Sequence, residues 1–290
     1  MYDCIIVGMG PAGMSAAIYA KNAGLNVLIL EAIAPGGLLN KIKDIDNYLG
    51  FKKINGSDLA YNMFEHIRSL DIQYKIDKVL DIKELNDYKL ITTTKGEYKT
   101  KGLIIAGGRK IKRSGISNEK DFVNKGISYC ATCDGALYKN KIVCLLGSDK
   151  VAFDEVKYLS NICKKVYFIT NKEVSFDVSG CSNVELINNI KVSEFLGEDK
   201  ISGILLENGS VIDTDGVFIY YGYSSEVAFL NNLDICDNDG RILVDMNMKT
   251  KCNLVYACGD IIKKDLYQIS TAVSEGAIAA VNLNKELNVR

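Results

Sequence analysis

Two cysteines three residues apart, Cys130 and Cys133, enclose Ala131 and Thr132 and are followed at once by Asp134. Two thiols at this spacing can close a disulfide across one turn of chain, and such pairs can carry lowered thiol pKa values. Asp134 stands where an acid–base group could serve a leaving thiolate. In a chain with nine cysteines the spacing alone is weak evidence, so the neighbours carry the case. No second Cys-x-x-Cys is present to complete a four-cysteine zinc site, and the single histidine, His66, cannot build a multi-histidine centre, so no metal is expected. His66 lies in a helical stretch, residues 61–70, and reads as structural. The other seven cysteines, Cys4, Cys144, Cys163, Cys181, Cys236, Cys252 and Cys258, fall mostly in apolar runs and read as small buried residues.

A second chemistry is written in Gly8-Met9-Gly10-Pro11-Ala12-Gly13. It follows an expected strand over residues 3–7, opens a helix reaching about Asn22, and has an acid, Glu31, 18 positions past Gly13. In such a loop Gly8 permits the tight turn, Gly10 lets the backbone approach a pyrophosphate, and Gly13 permits close helix–strand packing. The helix start offers unpaired N–H groups and a positive dipole end, and Glu31 can accept from both hydroxyls of a ribose. The alternative is a purely structural turn.

The unit that must hold these residues, strand–glycine–helix, occurs twice. The second copy runs from residues 141–146 through Gly147-Ser148-Asp149-Lys150-Val151-Ala152 into a helix to about Ile162, with a strand at 165–170. Between the copies, residues 74–85, 88–94 and 97–103 alternate like a β-meander, and Leu103-Ile104-Ile105-Ala106-Gly107-Gly108 reads as a short buried strand. Another ends in Gly259-Asp260, and a last helix is expected over 271–287. The pattern predicts an α/β fold of two Rossmann-like, three-layer (ββα-type) nucleotide-binding domains.

At 290 residues, 48% hydrophobic and 24% charged, the chain is long enough for two domains with large cores. Thirty-five Lys and Arg against 36 Asp and Glu leave a net charge of −1, which offers no broad field for nucleic acid. No run reaches the roughly 18 apolar residues of a membrane span. The opening MYDCIIVGMG has no basic region and leads directly into a strand, so no signal peptide is expected. A cytoplasmic location follows, in which thiols stay reduced and a disulfide is catalytic rather than structural.

Gly8 to Gly13, the run Ser128-Tyr129-Cys130-Ala131-Thr132-Cys133-Asp134-Gly135, and Tyr256-Ala257-Cys258-Gly259-Asp260 together resemble the bacterial low-molecular-weight thioredoxin reductases. Pro35-Gly36-Gly37-Leu38 resembles that family's P-G-G-Q flavin loop. Ile45-Asp46-Asn47-Tyr48-Leu49-Gly50 resembles its I-E-N-F-P-G, and Leu266-Tyr267-Gln268-Ile269 its R-Q flavin contact. The resemblance covers the whole chain. It implies a homodimeric flavoprotein that reduces thioredoxin, with an FAD domain in two pieces, 1–112 and 241–290. The inserted domain, 113–240, would carry the cysteines and swing between flavin and thioredoxin. It implies that Cys133 faces the flavin, that Cys130 attacks the thioredoxin disulfide and that Asp134 is the acid. It places FAD on Gly8, Gly10, Pro11, Ala12, Gly13, Glu31, Gly36, Gly37, Leu38, Asn47, Val79 (through its backbone), Gly107, Gly259, Asp260, Gln268 and Ile269.

That family reduces its flavin with NADPH on the second domain, and there this chain departs. Asp149 stands where the loop's central glycine belongs, and like charges at a phosphate site repel by kilocalories rather than tenths. Where the family carries H-R-R…R, this chain has Ile169-Thr170-Asn171-Lys172-Glu173-Val174-Ser175-Phe176-Asp177, and no Arg occurs between Arg113 and Arg241. Bidentate phosphate recognition favours Arg, and Lys172 beside Glu173 is a poor substitute. Tyr221-Gly222-Tyr223-Ser224-Ser225-Glu226 replaces an I-G-x-x-P-N turn. This pattern resembles the ferredoxin-dependent flavin thioredoxin reductases of anaerobic bacteria, which implies electrons from reduced ferredoxin. Ferredoxins are acidic, so Arg109, Lys110, Lys112, Arg113, Lys263 and Lys264 are the candidate docking residues. Three other readings stay open: an NAD(P)H-dependent thioredoxin reductase with an atypical site, a second flavin in the vacated site, and a non-catalytic flavoprotein that senses redox state. The intact cysteine run argues against the last.

Overall fold

A computed structural model describes residues 1–42, 44–224 and 226–288; Ser225 of the departing turn and Arg290 lie outside the described residues. The chain divides into two compact units, Met1–Lys110 with Ser224–Arg290, and Ile111–Tyr223, the second inserted in the first. The units part at Lys110 and Tyr223, whereas the resemblance implies borders at 112 and 240. The difference has a packing cause: Leu230, Leu233 and Ile235 are buried in one cluster with Val79, Ile82 and Ile91.

The first unit opens with β1 (Tyr2–Val7), α1 (Pro11–Asn22), β2 (Val27–Glu31), α2 (Gly56–Ser69), β3 (Gln73–Ile76), β4 (Val79–Glu84), β5 (Lys89–Thr93) and β6 (Glu97–Ile105). Its sheet runs β3-β2-β1-β6 in parallel, and β5 and β4 join antiparallel along the first half of β6. Both faces of β1 are covered. Cys4 and Ile6 pack with Met14, Ala16 and Ala20 of α1, while Ile5 and Val7 pack with Leu28 and Leu30 on the other side. A strand buried on two faces reads as an unbroken apolar run, as CIIV does here.

Two expectations change. Residues 74–85 are not one meander strand: β3 extends the parallel sheet beside β2, the chain breaks at Asp77, and β4 turns to pair with β5. The Asp77 carboxylate holds that break by accepting from the hydroxyls of Thr93 at 2.7 Å, Thr94 at 2.8 Å and Tyr98 at 3.2 Å. The meander strand at 97 and the buried strand at 103 are one nine-residue strand, β6.

β7 (Lys110–Ile111) leads into the second unit. There follow α3 (Glu119–Phe122), β8 (Ile127–Ser128), α4 (Ala131–Asp134), β9 (Ile142–Gly147), α5 (Lys150–Ser160), β10 (Lys165–Ile169), β11 (Val184–Ile187), β12 (Val192–Gly197), β13 (Ile201–Leu206), β14 (Val211–Asp213) and β15 (Gly216–Tyr220). Its parallel sheet has the order β11-β10-β9-β15-β8, and β12-β13-β14 form a separate antiparallel sheet. Alternation sorts the strands: Val143, Leu145, Phe218 and Tyr220 pack with α5, whereas Cys144, Leu146, Val217 and Ile219 pack with Phe195 and Ile204 of the antiparallel layer.

β16 (Tyr223–Ser224) returns the chain to the first unit, where β17 (Val255–Ala257) pairs with the second half of β6 and α6 (Ile269–Asn288) packs on α1. The small residues of α1 allow that approach: a Cβ at Gly276 of α6 would stand 2.2 Å from the Ala12 carbonyl oxygen. Among the described residues no helix is long and apolar enough to cross a membrane.

Candidate active site

The first glycine loop is an open cradle. Gly8 has φ +103°, and a Cβ there would stand 2.3 Å from the Ala106 carbonyl oxygen; a Cβ at Gly13 would stand 2.0 Å from the Gly8 oxygen. Packing therefore demands both. Gly10 differs, because a Cβ there would meet nothing within 4 Å. Pro11 and Ala12 open α1 with no side-chain cap and no acid in the first turn. Free space thus faces first-turn N–H groups that no side chain has claimed, which is what a diphosphate requires. Gly37 lines the same opening, its Cβ position lying 3.6 Å from Gly10 Cα, and Gly36 ties the loop down by donating to Met9 O at 2.8 Å. Leu38, next in this loop, is half-buried.

Glu31 ends β2 with its carboxylate fixed by backbone. Oε2 accepts the Met9 N–H at 2.7 Å and Oε1 the Ile33 N–H at 2.9 Å. Each oxygen keeps a further acceptor position for a ribose hydroxyl. Residues from the chain's last fifty complete the cradle. A Cβ at Gly259 would lie 2.8 Å from Ala12 Cβ, which places Gly259-Asp260 against the start of α1. Asp260 Oδ1 is buried and, among the described residues, accepts no hydrogen bond; the Lys264 ammonium stands 3.5 Å away. Such an acceptor calls for a polar partner. Asn47 donates to Gln268 Oε1 at 3.2 Å, so two expected flavin contacts meet across the sequence. Gly107 follows β6 against Ile261, Ile269 opens α6, and Val79 has its side chain in the core. Uncapped N–H donors, a backbone-fixed carboxylate acceptor and a second carboxylate with a buried oxygen open to a further donor are the polar groups an adenine dinucleotide with a polyol chain needs, and FAD is the cofactor they fit.

The second glycine loop has the same construction and is closed. A Cβ at Gly147 would stand 2.5 Å from Ala152 Cβ and 2.8 Å from Tyr220 O. Asp149 is the N-cap of α5, and its Oδ1 accepts the Ala152 N–H at 2.8 Å. A donor that a diphosphate would use is already bound to an anion. After β10, Glu173 accepts from Asn188 at 3.3 Å and Asn189 at 2.7 Å, and Phe176 stacks on Phe153 of α5 at 4.6 Å.

β8 delivers the chain to the cysteines, which form a disulfide. Cys130 is the N-cap of α4, and its Sγ accepts the Cys133 N–H at 3.2 Å, with Thr132 Oγ1 at 3.4 Å. Both cysteines are half-buried. Asp134 Oδ2 accepts from Ser128 Oγ at 2.6 Å, and the same Oγ accepts the Cys130 N–H at 3.1 Å, so Ser128 ties the acid to the sulfur-bearing turn. Tyr129 donates to buried Glu119; burial first, then Glu119, pushes the phenol's pKa up. The sequence reading missed two residues beneath this turn: the Tyr220 hydroxyl accepts the Ala131 N–H at 2.6 Å, and Glu155 of α5 is bonded to the same hydroxyl. The alternation of β15, which turns Tyr220 toward α5, was the available signal.

Other expected residues fall elsewhere. Lys264 is 11% exposed and pairs with Glu275 at 2.8 Å, so it braces the cradle rather than a docking face. Lys110 pairs with Glu226, and the Arg109 guanidinium lies 3.4 Å over the Tyr267 ring. Lys112, Arg113 and Lys263 are exposed. Among the remaining cysteines Cys4, Cys144, Cys163 and Cys258 are buried, whereas Cys181, Cys236 and Cys252 are only half-buried. Burial pushes the Cys144 thiol up to about 12 and that of Cys163 to about 11. His66 is exposed on α2, and among the described residues no group of acids, cysteines and histidine is arranged to hold a metal ion.

An FAD cradle in one Rossmann-like unit and a disulfide turn in another define a flavoprotein of the disulfide-oxidoreductase class. The chain belongs to the pyridine nucleotide-disulphide oxidoreductase family, whose profile matches residues 2–276. It is 38% identical to the thioredoxin reductase of Ureaplasma parvum over 294 residues, 97% of this chain and 95% of that protein. The crystal structure of thioredoxin reductase from Streptococcus pyogenes is similar at a TM-score of 0.94 and 35% identity, covering 100% of this chain and 99% of the other. A ferredoxin-flavin thioredoxin reductase from Clostridium acetobutylicum is similar at a TM-score of 0.57 and 33% identity, covering 100% and 99%.

Proposed function

We propose that this protein is a thioredoxin-disulfide reductase that works through FAD and the Cys130–Cys133 pair and draws its electrons from reduced ferredoxin. The observation that carries the choice of donor is the Asp149 cap on α5, which fills with a carboxylate the place a pyridine nucleotide's diphosphate would take. Bound FAD supplies the electron pair that opens the disulfide. The Cys130 thiolate then attacks one sulfur of the thioredoxin disulfide and forms a mixed disulfide. Asp134, anchored by Ser128, gives the departing thiolate its proton, and Cys133 attacks the Cys130 sulfur of the mixed disulfide, displacing the thioredoxin sulfur as a second thiolate, closing the pair again and releasing reduced thioredoxin. The reading brings with it a cytoplasmic homodimer and two protein partners, thioredoxin and ferredoxin.

A second reading, an NAD(P)H-dependent enzyme, is favoured by the retention of Gly147 and Ala152 at the first and third positions of the second loop. Anaerobic mixing of the oxidised protein with NADPH, NADH or reduced ferredoxin, followed by flavin bleaching, separates them. Ferredoxin alone should bleach the flavin on the timescale of turnover. Rapid bleaching by micromolar NADPH would sink the ferredoxin assignment.

A further inference from the structure

The residue that crowds the second glycine loop also reaches the redox turn. Tyr220 ends β15 beside Gly147, with its ring in the core cluster under α5. Its hydroxyl accepts the Ala131 N–H at 2.6 Å in a buried bond, and Glu155 is hydrogen-bonded to the same hydroxyl. A phenol has one proton, and a carboxylate only accepts, so toward Glu155 the Tyr220 hydroxyl acts as the donor while Ala131 donates to its oxygen. Oε2 of Glu155 is buried and, among the described residues, makes no hydrogen bond.

Ala131 occupies the first position of α4. An N-cap side chain accepts from the second or third N–H of its helix, and here Cys130 Sγ takes the third, that of Cys133. The first N–H points past the cap and would be a buried donor with nothing to bind. Tyr220 supplies its acceptor.

We propose that Tyr220, oriented by Glu155, is a positioning residue of the redox turn: it pins the Ala131 peptide so that the Cys133 N–H stays aimed at the Cys130 sulfur and stabilises Cys130 as a thiolate once the pair is reduced. This deepens the reading of Cys130 as the attacking sulfur and rests on it. Burial holds the Glu155 carboxyl above its ordinary range, against the Tyr220 hydrogen bond and with Asp154 adding to the rise. The pin works in either protonation state, because a neutral carboxyl still offers its carbonyl oxygen.

The test is alkylation of the reduced holoprotein by iodoacetamide across pH, with Cys130 followed by peptide mass; it reads the thiolate pKa and needs neither electron donor nor thioredoxin. Tyr220→Phe keeps the ring and removes the hydroxyl. Cys130 should then alkylate about tenfold more slowly at neutral pH, as its pKa rises by about one unit. Glu155→Leu leaves the phenol proton without an acceptor and should shift Cys130 the same way. Glu155→Gln keeps an acceptor oxygen and should stay within about twofold of the unaltered protein. Tyr138→Phe is the control, since that hydroxyl, in the same core, meets the Gly126 carbonyl instead. An unchanged Cys130 profile in Tyr220→Phe, or an equal shift in Tyr138→Phe, overturns the proposal; Glu155→Leu matching Glu155→Gln overturns the part given to Glu155. Absence of a Cys130–Cys133 disulfide from the isolated protein would sink the functional reading instead, and the thiol titration would still report on Tyr220.

Discussion

Asp149 and Ala152 form a closed cap: the carboxylate of one accepts the backbone N–H of the other at 2.8 Å, at the helix start where Gly10 leaves the matching donors of α1 uncapped. Replacing an N-cap Asp by Gly costs only a few tenths of a kcal/mol, whereas Ala costs about 1 kcal/mol. Asp149→Gly should therefore fold normally while removing the anion. NADH should then bleach the flavin at least about tenfold faster than in the unaltered protein, a gain that about 1.4 kcal/mol of relieved repulsion would supply. Equal rates in the two proteins, read by anaerobic stopped flow, would show that other side chains keep the nucleotide out.

Cys133→Ser should leave reduction of the flavin by its donor intact and bring thioredoxin turnover to background, since the serine cannot close the disulfide that hands electrons on. Turnover is read by the reduction of an aromatic disulfide dye coupled to thioredoxin. Surviving turnover would remove Cys133 from the pathway.

Glu31→Gln sets an amide NH₂ against one of the two N–H groups, Met9 or Ile33, that the carboxylate now binds. At this partly exposed site a donor facing a donor costs about 1 kcal/mol, so FAD should bind about fivefold more weakly. The flavin-to-protein absorbance ratio of dialysed protein reports this. A ratio equal to that of the unaltered protein would mean that Glu31 braces the loop without touching the ligand.

Asp77 makes acid stability testable. Burial raises its pKa, but hydrogen bonds from Thr93, Thr94, Tyr98 and the Lys95 N–H outweigh burial and hold the carboxyl below its ordinary value. A depressed carboxyl contributes stability above its unfolded pKa, near pH 4, and that contribution fades as pH falls through the lower folded value. Asp77→Asn should lose about 1–3 kcal/mol at neutral pH and show a shallower loss of stability below about pH 4. Parallel curves for the two proteins in a urea series across pH would contradict this.

Much of the scaffold was legible because its signals are local. Gly8 and Gly13 sit where any Cβ would strike backbone, and the apolar runs of β1, β9 and β15 mark strands covered on both faces. The break at Asp77 was hidden because alternation continues through residues 74–85, and only a buried carboxylate bound to residues farther along the chain ends one strand and begins another. Lys264 reads as a surface charge because sequence does not show Glu275 in the second turn of α6. Tyr220 and Glu155 were invisible for a related reason: periodicity tells which face a side chain takes, not that its hydroxyl will meet a peptide 89 positions away.

The pairing of β17 with Leu103, Ile104 and Ile105 of β6 has a consequence for synthesis. On the ribosome, residues 111–223 emerge as one continuous piece and can close their own sheet while that edge of β6 still lacks its neighbour. The nascent chain therefore carries a bare apolar edge until residues 255–257 have been made, the kind of surface that chaperones cover. Gly259, Asp260 and Gln268 arrive later still, so the turn that bears the disulfide can take shape before the flavin cradle is complete.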